Sequence, residues 1–390
     1  MANLRIALSG AELDRAAGWL AGVAMGQTVR NELGRDYLGG ILIDATGDAV
    51  RMESTNLQTF ATARPSGAIV YAPGRAVVSA RLLALIASAC ARDETVTFDD
   101  CNGKMDIHGN GSSWQMPVMV PDRWPGFPAV GEWRCTVDAP DFDLAVKRVM
   151  PAIDKEGLFP TWSGVALCVT ADELTVATTD GYRMAACHIA AETRDMPVDC
   201  AVLGKELARA LDGSDGATGV TVNVGDNTVT LAGRGFEASV RRLDDDFPNY
   251  RKAIPHPGSV ENISAVVDTK ALLAAIKRAT MMANDDDPRS QPQLTIGEGE
   301  ITVSAEGTRG TAHASCEADV VGPEGMTLVF RTGYLTAALS EMRTPFVELR
   351  IGVKNTRPVL FVPVNDERKP LDDYVHVVQP IDLNRVKAKA

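Results

Sequence analysis

Residues 263–283 read ISAVVDTKALLAAIKRATMMA, and the fold follows from this stretch. Residues 263–267 alternate as a short strand does. From Asp268 the apolar spacing becomes that of a helix, with Leu272, Leu273, Ile276 and Ala279 on one face. Asp268 is a suitable N-cap. The same strand-into-helix pattern recurs at residues 134–153, RCTVDAPDFDLAVKRVMPAI, where Leu144, Ala145, Val149 and Met150 form the apolar face. It recurs again at residues 4–25, LRIALSGAELDRAAGWLAGVAM, where Ser9 and Glu12 have the spacing of a capping box.

Each helix is followed by two alternating strands about a Gly or acidic turn. These are residues 41–52, 165–176 and 294–303, with turns Thr46-Gly47-Asp48, Ala171-Asp172-Glu173 and Gly297-Glu298-Gly299. Val50, Leu174 and Ile301 are equivalent, 124 and 127 positions apart. A second helix (residues 78–90, 203–211 and 332–342) and another hairpin (96–108, 220–231 and 347–362) complete each copy. A repeat of this length predicts one α+β domain present three times, over residues 1–130, 131–255 and 256–390. The joints carry Pro121-Asp122-Arg123-Trp124-Pro125-Gly126-Phe127-Pro128, then Phe247-Pro248-Asn249-Tyr250, Pro255 and Pro257. Proline fixes local geometry, so these read as stiff joints rather than tethers.

The 390 residues are 45% hydrophobic, enough for several cores. No apolar run is long enough to cross a bilayer and residues 1–10 lack the features of an export signal, so a cytoplasmic location is expected. The seven cysteines fall singly, without CxxC, and read as reduced core residues. GxSxG, GxxxxGK[ST], HExxH and GxGxxG are all missing, and the five histidines are scattered. No catalysis, metal site or cofactor is expected. The acidic runs Asp244–Asp246 and Asp285–Asp287 read as solvated turns.

A net charge of -12 opposes a protein that adheres to DNA, because phosphate binding depends on Lys and Arg. A protein that surrounds DNA needs cations only along the hole, and an acidic exterior then discourages stray adhesion. Lys147-Arg148 and Lys277-Arg278 share one helical register, 130 positions apart, while the first copy has Gly18-Trp19 there. Arg81, Lys205 and Arg209 lie on the second helices. With Arg30 these are the candidate DNA-facing residues, although a solvated helical face explains any one of them alone.

Thr179-Asp180-Gly181-Tyr182-Arg183-Met184-Ala185 resembles a segment of the bacterial DNA polymerase III beta subunit, the beta sliding clamp family. So do Asp246-Phe247-Pro248-Asn249-Tyr250-Arg251-Lys252 with Ile254-Pro255, Ala275-Ile276-Lys277-Arg278-Ala279, Phe330-Arg331-Thr332-Gly333-Tyr334-Leu335 and the near-terminal Val377-Val378-Gln379-Pro380-Ile381-Asp382-Leu383. The matches run in family order over essentially the whole chain. The resemblance implies a ring-shaped head-to-tail homodimer, with helices lining a central hole around double-stranded DNA and antiparallel sheets outside. It implies no catalysis, and as partners a clamp loader complex, the DNA polymerase III alpha subunit and other proteins with clamp-binding motifs.

The resemblance also implies a peptide pocket between the second and third domains. Trp162, Thr179, Gly181, Tyr182, Arg183, Met184 and Pro248 would form one side, and Tyr334, Val377, Gln379, Pro380 and Ile381 the other, with Arg331 at the rim. Trp114, Met281 and Met282 match apolar dimer-interface positions, where core packing would serve as well. Tyr182 stands where a histidine is frequent, Gln379 and Asp382 where a methionine and an arginine are common, and residues 384–390 run past the usual end. A specialised phage or accessory clamp with altered partner choice is therefore a second reading. A non-DNA repeat scaffold and a hydrolase using Asp99 and Asp100 are further ones.

Overall fold

The computed structural model describes residues 4–26, 35–109, 111–154, 160–194, 197–254, 263–283, 287–288, 290–371 and 373–383. Arg30, Pro255, Pro257, Asp285, Asp286 and residues 384–390, all singled out above, lie outside the described residues.

Three similar units follow one another along the chain. The first holds α1 (Gly10–Val23) and α2 (Ala80–Ala89), the second α3 (Ala139–Val149) and α4 (Gly204–Leu211), the third α5 (Thr269–Ala279) and α6 (Thr332–Ser340). The first helix of every unit starts in the same way. Ser9, Asp138 and Asp268 accept the backbone N–H of Glu12, Asp141 and Ala271, and such a cap contributes about 1 kcal/mol. The buried faces are Leu13, Ala16, Ala17 and Leu20 in α1, Phe142, Ala145, Val146 and Val149 in α3, and Leu272, Ala275, Ile276 and Ala279 in α5. Leu144, Met150 and Leu273, expected on those faces, are only half-buried, because the sheet contacts fall on the neighbouring stripe.

All strand pairing among the described residues is antiparallel, and the sheets do not stop at the unit boundaries. In the first unit Arg75–Ser79, Gly40–Asp44, Arg51–Thr55 and Thr59–Ala63 form half a sheet. Thr59–Ala63 then pairs with Phe236–Arg241 of the second unit, Ala63 opposite Phe236 and Thr59 opposite Val240. The second joint repeats this pairing: Arg183–Thr193 of the second unit pairs with Tyr374–Val378 of the third, Cys187 opposite Tyr374 and Arg183 opposite Val378. Each joint thus occupies backbone groups that would otherwise be open sheet edges.

Five of the seven cysteines are buried and none is paired. Burial pushes the thiols of Cys135 and Cys200 up to about 12, which keeps them protonated and unreactive. Among the described residues no helix is long and apolar enough to cross a membrane.

Candidate partner site and the joints between units

The turn after Glu173–Thr179 is built by its own side chains. Asp180 Oδ1 accepts the N–H groups of Tyr182 (2.9 Å) and Arg183 (3.0 Å), and Thr179 Oγ1 accepts the Gly181 N–H at 3.1 Å. Gly181 has φ +82°, and a Cβ there would lie 3.0 Å from the Trp162 ring, so conformation and space both call for glycine. Asp180 also pairs with Arg183 Nε at 2.9 Å, both side chains nearly buried.

This turn meets the third unit. The Arg183 guanidinium lies 4.3 Å from the centre of the Tyr334 ring, and Arg331 lies 5.6 Å from Tyr334 and 5.8 Å from Tyr182. Tyr182 is 57% exposed. The Gln379 N–H donates to the Tyr182 carbonyl (2.8 Å), and the Gln379 side-chain amide donates to the Thr356 carbonyl (2.6 Å) and the Pro380 carbonyl (3.3 Å). The Ile381 N–H donates to Val329. The surface is therefore a row of cations and tyrosines held in place from both units.

Beneath it lies a small apolar cluster separate from the main core. Met184 and Val377, opposite each other across the joint, pack with Ala166, Cys168, Ala177, Ala186, Tyr250, Leu360 and Val362, and Phe247, Ile254 and Val375 are partly buried against them. Pro248 is half-buried between Phe247 and Tyr250 in sequence. Tyr250, Leu360, Val362 and Asp180 were not read from the sequence. Tyr250 and Asp180 stood inside quoted motifs without being singled out, and Val359–Val364, part of a hairpin that was read, is buried on both faces and gives no alternation to mark Leu360 and Val362.

The cations fall into two groups. Arg81, Lys147, Lys205, Lys277 and Arg278 are exposed. Lys147 pairs with Asp143 at 2.6 Å, and Arg209 is partly exposed and pairs with Glu206 at 2.8 Å. Arg148 is the exception and corrects the sequence reading: it is 5% exposed, too buried to face DNA. Its Nε donates to the Glu341 carbonyl (3.2 Å), its Nη1 to Asp373 (3.0 Å), and its guanidinium stacks 4.0 Å from the centre of the Tyr374 ring. It ties the second unit to the third. Trp114 is partly buried on the edge strand Ser112–Pro117, Met281 is 68% exposed, and Met282 is half-buried.

His376 lies behind this joint, fully buried, with Nδ1 2.8 Å from Tyr374 Oη. Burial drives its imidazole down to about 3. The unfolded chain takes up this proton near pH 6.5 and the folded chain does not. Stability should therefore be lost as pH falls below about 6.5, by about 1.4 kcal/mol per unit until about pH 3. Urea titrations at several pH values should show His376→Gln losing one proton's worth of this slope. Identical slopes for both proteins would refute the assignment.

Comparison with known proteins agrees with this geometry. Residues 136–249 match the family model for the DNA polymerase III beta subunit central domain, and residues 252–375 that for its C-terminal domain. The chain belongs to the DNA polymerase III beta subunit family, the beta sliding clamps. It is 28% identical over 283 residues to the beta sliding clamp of Micrococcus luteus, covering 71% of this chain and 88% of that one. It is 24% identical to the clamp of Streptomyces coelicolor, covering 89% and 92%. Among solved structures, the beta subunit from Thermotoga maritima superposes with a TM-score of 0.86 at 20% identity, covering 97% of this chain and 99% of that one. The Pseudomonas aeruginosa clamp bound to griselimycin gives 0.85 at 19% identity, covering 97% and 100%. The family is a non-catalytic processivity factor, so the chain is not an enzyme and Asp99 and Asp100 need no hydrolytic role. Asp99 instead pairs with Arg5 at 3.6 Å.

Proposed function

We propose that the chain is a DNA sliding clamp: two copies close head to tail around the duplex and carry replication proteins along it. The observation that carries this is the strand pairing of the two internal joints, which leaves one matching edge at each end of the chain. Gly310–Val321 is the third-unit counterpart of Arg183–Thr193, and the strand Ser112–Pro117 is the first-unit counterpart of Phe236–Arg241. The three domains would span residues 1–130, 131–255 and 256–390.

Inside the ring, Arg81, Lys147, Lys205, Arg209 and Lys277, with Arg30, would make weak contacts to phosphates. Such contacts are blind to sequence and quickly exchanged, so they permit sliding. Retention comes from topology. A polymerase bound to the ring stays near its template at high effective concentration, without any chemistry by the clamp.

The peptide site would be the joint surface described above: Trp162, Thr179, Gly181, Tyr182, Arg183, Met184 and Pro248 on one side, Arg331, Tyr334, Val377, Gln379, Pro380 and Ile381 on the other. Apolar ground with a few fixed polar groups suits a short peptide anchor. The clamp loader and the polymerase III alpha subunit are the expected users, in the cytoplasm. The test is to load the protein with a clamp loader and ATP onto a nicked circle and then cut the circle. Retention on the circle and loss after linearisation is the expected result; equal retention on both forms would mean ordinary surface adhesion.

A further inference from the structure

The two joints made within the chain use the same parts. In each, the tenth residue of a first helix reaches across: Trp19 in α1 and Arg148 in α3. Trp19 Nε1 donates to the Arg209 carbonyl in α4 at 2.8 Å, and Arg148 Nε donates to the Glu341 carbonyl just past α6. Both acceptors lie at the C-terminal end of the next unit's second helix. Both side chains also pack on the ring that opens that unit's last strand. Trp19 meets Phe236 edge-on at 6.0 Å, and Arg148 stacks on Tyr374. The strand registers agree too, since Phe236 faces Ala63 and Tyr374 faces Cys187 at equivalent positions.

A third set of these parts is present and unused. The tenth residue of α5 is Arg278, exposed and in no ion pair among the described residues. The counterpart of Ala63 and Cys187 is Ala314, on an edge whose outer side is unpaired over residues 310–316 among the described residues. The counterpart of Phe236 and Tyr374 is Ser112, at the start of a strand that, among the described residues, pairs only with Lys104–Gly109. On α2, the helix that would supply the carbonyls, Leu82 and Leu85 are 46% and 58% exposed. Leu82 occupies the position of Glu206, which is 2% exposed and receives hydrogen bonds from Asn56 and Thr59 across the first joint. An exposed leucine at position 82, where the first joint buries Glu206, indicates a missing cover.

We infer that Arg278 is the lock of the joint between two copies of this chain rather than a DNA contact. Residues 310–314 pair antiparallel with residues 112–116 of the second copy, placing Ala314 opposite Ser112 of the partner subunit and Ala312 opposite Trp114 of the partner subunit. The Arg278 guanidinium donates to a carbonyl at the end of the partner's α2. With serine where the other joints have a ring, it stacks on Trp114 of the partner subunit, two residues along the same strand face. This rests on the ring reading above.

The test uses the full-length protein in sedimentation-equilibrium runs. Arg278→Ala should raise the dimer dissociation constant at least about 30-fold, since a ring has two such joints and each loses a charged hydrogen bond. Lys277→Ala, one residue away, should change it less than about 2-fold. Oxidation of a Ser112→Cys, Ala314→Cys double variant should give covalent dimer above the background of the parent, because directly opposed strand positions are within disulfide reach. A wild-type chain that stays monomeric would sink the ring reading itself. A wild-type dimer whose affinity Arg278→Ala leaves unchanged would overturn the lock alone, as would cross-linking only from a shifted pair such as Ser112→Cys with His313→Cys.

Discussion

Arg148→Ala should destabilise the folded chain by about 3 kcal/mol, an effect far outside the range of a surface lysine or arginine. The change removes a nearly buried guanidinium and with it the bonds to the Glu341 carbonyl and Asp373 and the stack on Tyr374. Asp373 is half-exposed and can turn to water, which keeps the loss toward the lower end of the cost of breaking a buried pair. Urea unfolding measures it directly. Lys147→Ala provides the contrast: its stability should stay within about 0.5 kcal/mol, while the slope of DNA affinity against salt should fall by about one counterion. If Arg148→Ala proves as stable as the parent and shows the lower salt slope instead, Arg148 faces DNA and the description of this joint is wrong.

Tyr182→Ala should leave stability nearly unchanged and weaken binding of a partner peptide about 30-fold, the effect of losing about 2 kcal/mol at an aromatic anchor. Tyr182 suits this test because it is well exposed, whereas Met184 lies at 1% exposure beneath it. A lysine at position 184 would bury a charge and unsettle the joint along with the site. Fluorescence anisotropy with a labelled clamp-binding peptide gives the affinity, and thermal unfolding checks the fold. Unchanged affinity would move the peptide site away from this turn.

The starts of α1, α3 and α5 were legible because capping and apolar spacing are local signals: Ser9 and Asp268 read as caps, and the same strand-into-helix spacing around Asp138 made the repeat plain. The joining strands were not legible. Thr59–Ala63 reads TFATA and Phe236–Arg241 reads FEASVR, and nothing in either names a partner more than 170 residues away. Arg148 was misread for a related reason: adjacent cations on a helix look alike in sequence, although one turns outward and the next turns into a joint. The clue was present in the first unit, where Trp19 holds the position of Arg148. An indole does not belong on a solvated cationic face, and its presence marks that position as buried. The partner surface became legible only through family resemblance, since its residues come from separated segments and its floor is buried on both sides.

Backbone hydrogen bonds cross both internal joints, and Trp19 and Arg148 pin the helices beside them. Among the described residues these joints offer no soft hinge, so work done on a subunit is not dissipated in flexing there. In the proposed ring, a machine that must part the molecule would therefore act at the seam between two separate chains, and each half would come away with its internal joints kept and ready to reseal.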